Sequence, residues 1–233
     1  MPPSLLDLRP QEAQAQLRLW VEAEGLPSYR TEQILRRLWQ KPVARWADAT
    51  ELPTALRSRL SEVFPLPRLA VATMETSSDG TVKYLWRLAD GEAIESVLIP
   101  TGARRTLCIS SQAGCALKCA FCATGRLGLG RNLRAEEIVD QALHACEILD
   151  AAGQTLTHVV FMGMGEPLLN LSNVVQAIRV LTHPDAFALS PKRITVSTAG
   201  VVPKLAELGR AVPVRLAVSL HATRDALRDE LVP

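Results

Sequence analysis

After Pro100 the chain alternates short apolar runs with loops and amphipathic stretches, and that order narrows the possible folds more than any other feature. Thr106–Ser110, Thr157–Met162, Arg193–Thr198 and Val214–Leu220 read as strands. Between them, Arg134–Leu149 sets Ile138, Val139, Ala142, Leu143, Cys146 and Leu149 on one helical face, with Asn132 as the expected cap; a second helix is expected near Leu171–Leu181. A strand that returns through a helix to the next strand makes a right-handed crossover, so the strands lie parallel in a doubly wound or barrel-like sheet. Either architecture gathers ligands at the carboxyl ends of the strands. The loops that fall there carry Cys115 to Cys122, Gly163 to Pro167, Ser197 to Gly200 and Ser219 to His221.

The upstream third has a different texture. Gln11–Ala23 and Thr31–Trp39 space their apolar residues as helices do, and Pro27, Pro42, Pro53, Pro65 and Pro67 punctuate the segment. From Leu69 to Ile99 the runs are short and alternating, with Asp79-Gly80 and Asp90-Gly91 between them. Asp-Gly tolerates positive φ at both turn positions, so three antiparallel strands are expected. The chain is thus an α/β protein: a helical module over 1–67, an antiparallel β-element over 68–100, and a (βα) unit over 101–233.

Cys115, Cys119 and Cys122 form a Cys-x3-Cys-x2-Cys run. Closed metal sites take four protein ligands, so three thiolates on one loop point to an iron-sulfur cluster with one iron left open. The alternative is a zinc site completed by Cys108, Cys146 or His144, although Cys146 falls on the apolar face of its helix. Five cysteines, three of them crowded together, do not make a disulfide framework, and the N-terminus lacks the basic start and apolar core of a secretory signal. No apolar run approaches a bilayer span, so a chain free of the membrane and a reducing, cytoplasmic setting are expected. The net charge of +2 does not announce a nucleic-acid binder, yet Arg104, Arg105, Lys118, Arg126, Arg131 and Arg134 follow one another with no Asp or Glu from Ile99 to Ala135. That local excess would draw an anionic substrate to the cysteine segment.

Cys-x3-Cys-x2-Cys after the first strand of a βα array, with Gly165-Glu166-Pro167 after the second, resembles the radical S-adenosylmethionine superfamily. More narrowly, Leu107 to Gly125, Arg131-Asn-Leu, Phe161 to Asn170, Ile194 to Gly200 and Leu216 to Ala222 resemble the RNA adenine methyltransferases of the RlmN and Cfr type. The likeness runs from about Leu35 to the last residue.

This resemblance implies a partial (βα) barrel, here incomplete, with a four-iron, four-sulfur cluster on Cys115, Cys119 and Cys122 and S-adenosylmethionine on the open iron. It implies that Gly165, Glu166, Ser197, Ser219, Leu220 and His221 bind that cofactor, that Glu95 accepts a proton, and that Cys108 resolves a covalent protein–RNA adduct. The implied reaction methylates carbon 2 of an adenosine in 23S rRNA and of the adenosine beside the tRNA anticodon, with an electron donor as a further partner. The helical module, Arg126 and Arg131 are the expected RNA contacts. The family's methyl-carrying cysteine has no match, since Cys146 is the only cysteine after Cys122. A catalytically incomplete RNA-binding remnant and a zinc-stabilised module are the competing expectations.

Overall fold

The computed structural model describes residues 4–66 and 68–233; residues 1–3 and Pro67, the last of the expected proline breaks, lie outside the described residues. The N-terminal segment is helical, with α1 (Pro10–Ala23), α2 (Tyr29–Leu35) running into a π-helical turn at Arg36–Gln40, and α3 (Thr54–Val63). Pro10 opens α1 where a missing N–H costs nothing, and the Glu12 carboxylate accepts from the Arg9 N–H at 3.0 Å. Ala13, Leu17 and Val21 are buried with Ile34, Leu38 and Trp39 in the core, and the Trp46 indole N–H donates to the Phe64 carbonyl at 2.6 Å.

The chain then enters β1 (Ala70–Thr76), β2 (Val82–Arg87) and β3 (Ala93–Thr101), paired antiparallel as expected, with Gly80 and Gly91 at φ +82° and +92° in the turns. Pro100 does not end this element. It stays within β3 and pairs with Arg105 of β4 (Arg104–Cys108), so the hairpin strands join the parallel strands in one sheet. A small hairpin of β5 (Gln112–Gly114) and β6 (Leu129–Asn132) encloses the short α4 (Ala123–Leu127). The remaining elements are α5 (Ala135–Ala151), β7 (His158–Phe161), α6 (Leu171–Thr182), β8 (Ile194–Thr198), α7 (Val202–Ala211), β9 (Arg215–Val218) and α8 (Asp225–Leu231). The seven-stranded sheet has the order β1-β2-β3-β4-β7-β8-β9, parallel from β4 to β9. No helix among the described residues is long and apolar enough to cross a membrane.

Side chains alternate between the two faces of a strand, so the register assigns each face its task. Leu107, Val159, Ile194 and Val196 are fully buried on the face that also buries Ile138, Val139 and Ala142 of α5 and Val174, Ala177 and Ile178 of α6. The other face carries Glu95, Val97, Cys108, Val160, Thr195 and Ser197, all half-buried. It is the concave side of a partial barrel and faces the strand-end loops.

Two departures from the sequence reading concern α5. Asn132 does not cap it: its side chain pairs with Gln112 Nε2 at 2.7 Å within the small hairpin, and Glu137 instead accepts from the Arg134 N–H at 2.8 Å. The α5 surface also buries acids that an apolar stripe does not forecast. Asp140 is paired with Arg68 and accepts from the Leu69 N–H at 2.5 Å, while Arg68 reaches Glu147 at 2.8 Å. Burial pushes the Asp140 carboxyl up to about 6 despite Arg68, and burial together with the Arg68 charge pushes His144 down to about 4. His144 is therefore a neutral ring at pH 7, 3.1 Å from the Leu69 carbonyl through Nε2 and packed at a tilt against Trp86, ring centres 4.7 Å apart. This cluster binds the segment after the helical module to the main sheet.

Glu136, 4% exposed, is pushed up to about 7 by burial and then by Asp7, against the pull of Arg134. A carboxyl with a raised folded pKa favours folding fully below its unfolded value of 4.5, and that contribution is lost as pH climbs through about 7. Glu136→Gln is expected to add about 2 kcal/mol at pH 8 and to flatten the loss of stability between pH 4.5 and 7. Urea titrations at pH 5 and 8 check it; an unchanged pH slope contradicts it.

Candidate active site

The cysteine loop is fixed at both ends before any ligand is considered. Gly114, at φ +75°, lies so close to β6 that a Cβ there would stand 1.9 Å from the Gly128 carbonyl oxygen, so only glycine lets the loop start. The Cys115 N–H then donates to Gly128 O at 2.8 Å, the Cys122 N–H to Cys119 O at 3.0 Å, and the Ala120 N–H to Leu231 O at the end of α8 at 2.9 Å.

Cys115, Cys119 and Cys122 line one open cavity of about 370 Å³ at the carboxyl edge of the sheet, together with Gly165, Glu166, Ser197, Ser219 and His221. The structure thus brings together eight expected residues from four strand-end loops. Leu220 is not among them: it is 56% exposed and lies outside the lining, because the chain keeps the alternation of β9 and points this side chain away from the face of its two lining neighbours. Cys108 and Glu95 also lie outside the lining, on the same concave face of the sheet, and Glu95 is ion-paired with Lys83 at 2.8 Å.

Glu166 is 3% exposed and held on three sides. Its N–H donates to Gln112 Oε1 at 2.8 Å, its Oε1 accepts from the Leu168 N–H at 3.0 Å and its Oε2 accepts from the Ala199 N–H at 2.8 Å. Gly165 makes this possible, since a Cβ there would sit 2.5 Å from Gln112 Cβ and φ is +96°. Gly165→Ala is expected to cost about 2–3 kcal/mol, from positive φ and overpacking together. The midpoint of denaturant unfolding checks this, and a shift below about 0.5 kcal/mol contradicts the stated crowding.

Of the expected RNA contacts, Arg131 is otherwise committed. Its guanidinium reaches both Glu137 oxygens at 2.7 Å and pairs with Asp90, tying the small hairpin to α5 and to the β2–β3 turn. Arg134 is likewise paired with Glu136, and Arg104 and Arg105 lie at the amino end of β4, opposite the cavity. The basic run is therefore dispersed by folding, and Arg126 with Lys118 remains exposed beside the cysteine loop.

The donor set fits an iron-sulfur cluster. Burial pushes the Cys115 and Cys119 thiols up, so ligation must displace their protons, as soft metal centres do. Among the described residues no three Cys, His, Asp or Glu side chains converge as closely as a single metal ion demands. Ligands at separate corners of a cluster stand farther apart than ligands of one ion. The three candidates for a fourth zinc ligand are also elsewhere: Cys108 and His144 are outside the lining, and Cys146, pushed up to about 12 by burial, faces a different cavity near the π-helical turn. That cavity, about 420 Å³, is larger but contains no strand-end loop.

Further lining residues sit among those expected to bind a ligand. Phe121, between two of the cysteines, packs against His221 with the rings tilted by 48° and their centres 4.5 Å apart, and His221 sits at φ +58°. Thr198 and Ala199 complete the β8 loop, where Thr198 Oγ1 accepts from the Gly200 N–H at 3.0 Å. Ser-Thr-Ala-Gly before a helix is the one local cue for such a turn. Arg228 of α8 donates to the Ala199 carbonyl from outside the cavity.

Residues 109–232 match the family model described as the radical SAM superfamily. A relative from Syntrophobacter fumaroxidans, named dual-specificity RNA methyltransferase RlmN, is 49% identical over 218 residues, covering 94% of this chain and 64% of the relative. One from Gemmatimonas aurantiaca, named a probable dual-specificity RNA methyltransferase RlmN, is 47% identical over 99% of this chain and 64% of its own length. The chain thus spans less than two thirds of these relatives. The crystal structure of a radical SAM methyltransferase from Sphaerobacter thermophilus superposes with a TM-score of 0.91 at 41% identity, over all of this chain and 67% of that one. The superfamily's four-iron, four-sulfur cluster and S-adenosylmethionine suit the three thiols and the Glu166 loop on this edge. With its partial barrel, its open triad of thiols and a family match over more than half its length, the chain belongs to the radical SAM superfamily.

Proposed function

We propose that this chain carries the core of a radical-SAM RNA methyltransferase acting at carbon 2 of an adenosine, in 23S rRNA at the peptidyl-transferase region and in tRNA beside the anticodon. The observation that carries the reading is the single cavity in which three thiols meet Glu166, Ser197 and His221, below which Cys108 and Glu95 share the concave face. The relatives named as RNA methyltransferases support the substrate class.

Carbon 2 of adenine lies between two ring nitrogens and bears an unactivated C–H, so it cannot attack a sulfonium methyl as an ordinary nucleophile does. Bound at the thiols, the cluster and S-adenosylmethionine supply one-electron chemistry that meets this need. The chain's own residues supply placement. Cys115, Cys119 and Cys122 hold the cluster; Glu166, Gly165, Ser197, Ser219 and His221 hold the cofactor against it, and Phe121 over His221 limits water at the mouth. Burial pushes the Cys108 thiol up while the Met162 amide pulls it down, so to resolve an adduct, which takes the thiolate, Cys108 needs a base to remove its proton. Glu95, a carboxylate on the same face, is the proton acceptor. Arg126, Lys118 and the helical module contact RNA phosphate.

Iron, sulfide and zinc analysis of anaerobically purified protein tests the reading, together with release of 5′-deoxyadenosine from S-adenosylmethionine after reduction. Iron and sulfide in near-equal amounts with cofactor cleavage is the expected result. Zinc in place of iron would sink the proposal and leave a structural module.

A further inference from the structure

The short helix α8 touches two of the four loops that build the cavity. Near its middle, Arg228 donates through Nη2 to the carbonyl of Ala199, and Gly200 leaves room for that approach, its Cβ position lying 3.3 Å from Nη2. At its carboxyl end, the Leu231 carbonyl accepts from the Ala120 N–H, one residue past Cys119, at 2.9 Å. Ala199 is therefore held through both of its backbone groups: its carbonyl by Arg228 and its N–H by Glu166 Oε2 at 2.8 Å. Glu166 in turn is the buried carboxylate of the cofactor loop.

Arg228 also sits among opposing charges. Its helix is hydrogen-bonded to Ala120 beside Cys119, and its guanidinium holds the carbonyl of Ala199, whose N–H is held by the Glu166 carboxylate. Ligation by three thiolates beside Glu166 concentrates negative charge on this edge, and a guanidinium within reach offsets it without entering the cavity.

We propose that Arg228 is a positioning residue, which locks the Ala199 peptide so that Glu166 keeps its aim at the cofactor and which sets a fixed positive charge beside the cluster loop. The proposal rests on the cluster and cofactor occupying this cavity. A charge-assisted hydrogen bond that fixes a part-buried peptide contributes more than a neutral one, so its loss is felt one step away, at Glu166. The fixed charge favours the reduced, more negative cluster, so its removal makes the cluster harder to reduce.

The test uses the anaerobically reconstituted chain and compares wild type with Arg228→Met and Arg228→Lys. The readouts are iron and sulfide content, the S-adenosylmethionine dissociation constant, and the midpoint potential followed by electron paramagnetic resonance. Arg228→Met is expected to keep its iron and sulfide, weaken S-adenosylmethionine about tenfold and move the potential to more negative values. Arg228→Lys restores the potential but not the affinity, because an ammonium keeps the charge without the planar fork. Should Met destabilise the loop and lose the cluster, the Lys variant decides through its affinity against wild type. An affinity and a potential that match wild type in Arg228→Met overturn the proposal, and so does a potential equally shifted in Met and Lys. A wild-type chain that binds no cluster sinks the site reading instead, so the two failures are distinct.

Discussion

Changing Cys119 to alanine abolishes cluster binding: iron and sulfide in the purified chain fall to background, and the brown colour and cluster absorption disappear. The reason lies in the number of ligands. Three thiolates from one loop are the entire protein contribution in this cavity, and Cys108, Cys146 and His144 do not line it and cannot substitute. Two remaining ligands leave two irons open, and such a cluster is lost to solvent and chelators. The backbone around the loop is held by Gly128, Leu231 and the Arg131–Glu137 pair rather than by the thiol, so the far-ultraviolet circular dichroism and the unfolding midpoint of the unloaded chain stay near wild type. Iron retained at more than half the wild-type level would show that the ligand set is wrong.

The second large effect is on folding. Asp140→Ala removes the 0%-exposed carboxylate that pairs with Arg68 and accepts from the Leu69 N–H, and leaves the guanidinium with Glu147 as its remaining ion-pair partner. Breaking one side of a buried pair costs about 3–5 kcal/mol, against a total stability of about 5–15 kcal/mol for a domain. The variant is expected to unfold at markedly lower urea and, because Arg68 and Leu69 lead directly into β1, to loosen the helical segment first. Hydrogen exchange in α1 and α2 faster than in α6 would show that order. A urea midpoint within about 1 kcal/mol of wild type would mean that the pair is dispensable.

The site was partly legible because its chemistry is local. The spacing of Cys115, Cys119 and Cys122 is a property of eight consecutive residues, and the Gly-Met-Gly-Glu-Pro run declares a tight turn by composition alone. Strand alternation then placed both at one edge, and the structure brings them into one cavity. Leu220 shows the limit of that logic. Ser219 and His221 line the cavity while the residue between them faces solvent, because the alternation that sets Ala217 beside Ser197 carries on past the end of β9, so three consecutive residues cannot all face one site. Arg131 shows another: Asp90 is 41 residues away, and nothing in a basic run says which of its members will meet a carboxylate.

The sequence by itself determined the order of helices and strands, the parallel direction imposed by crossovers, and the thiol triad, since each depends on residues within a turn or two of one another. Only the tertiary structure decided that the hairpin strands and the parallel strands form one sheet through Pro100, that Asp140 and Arg68 close a buried clamp, and that α8 reaches both the cysteine loop and Ala199. These are contacts between segments far apart in the chain. Their partners are chosen by which surfaces remain to be buried once the helices have covered one face of the sheet, and no local pattern encodes that choice.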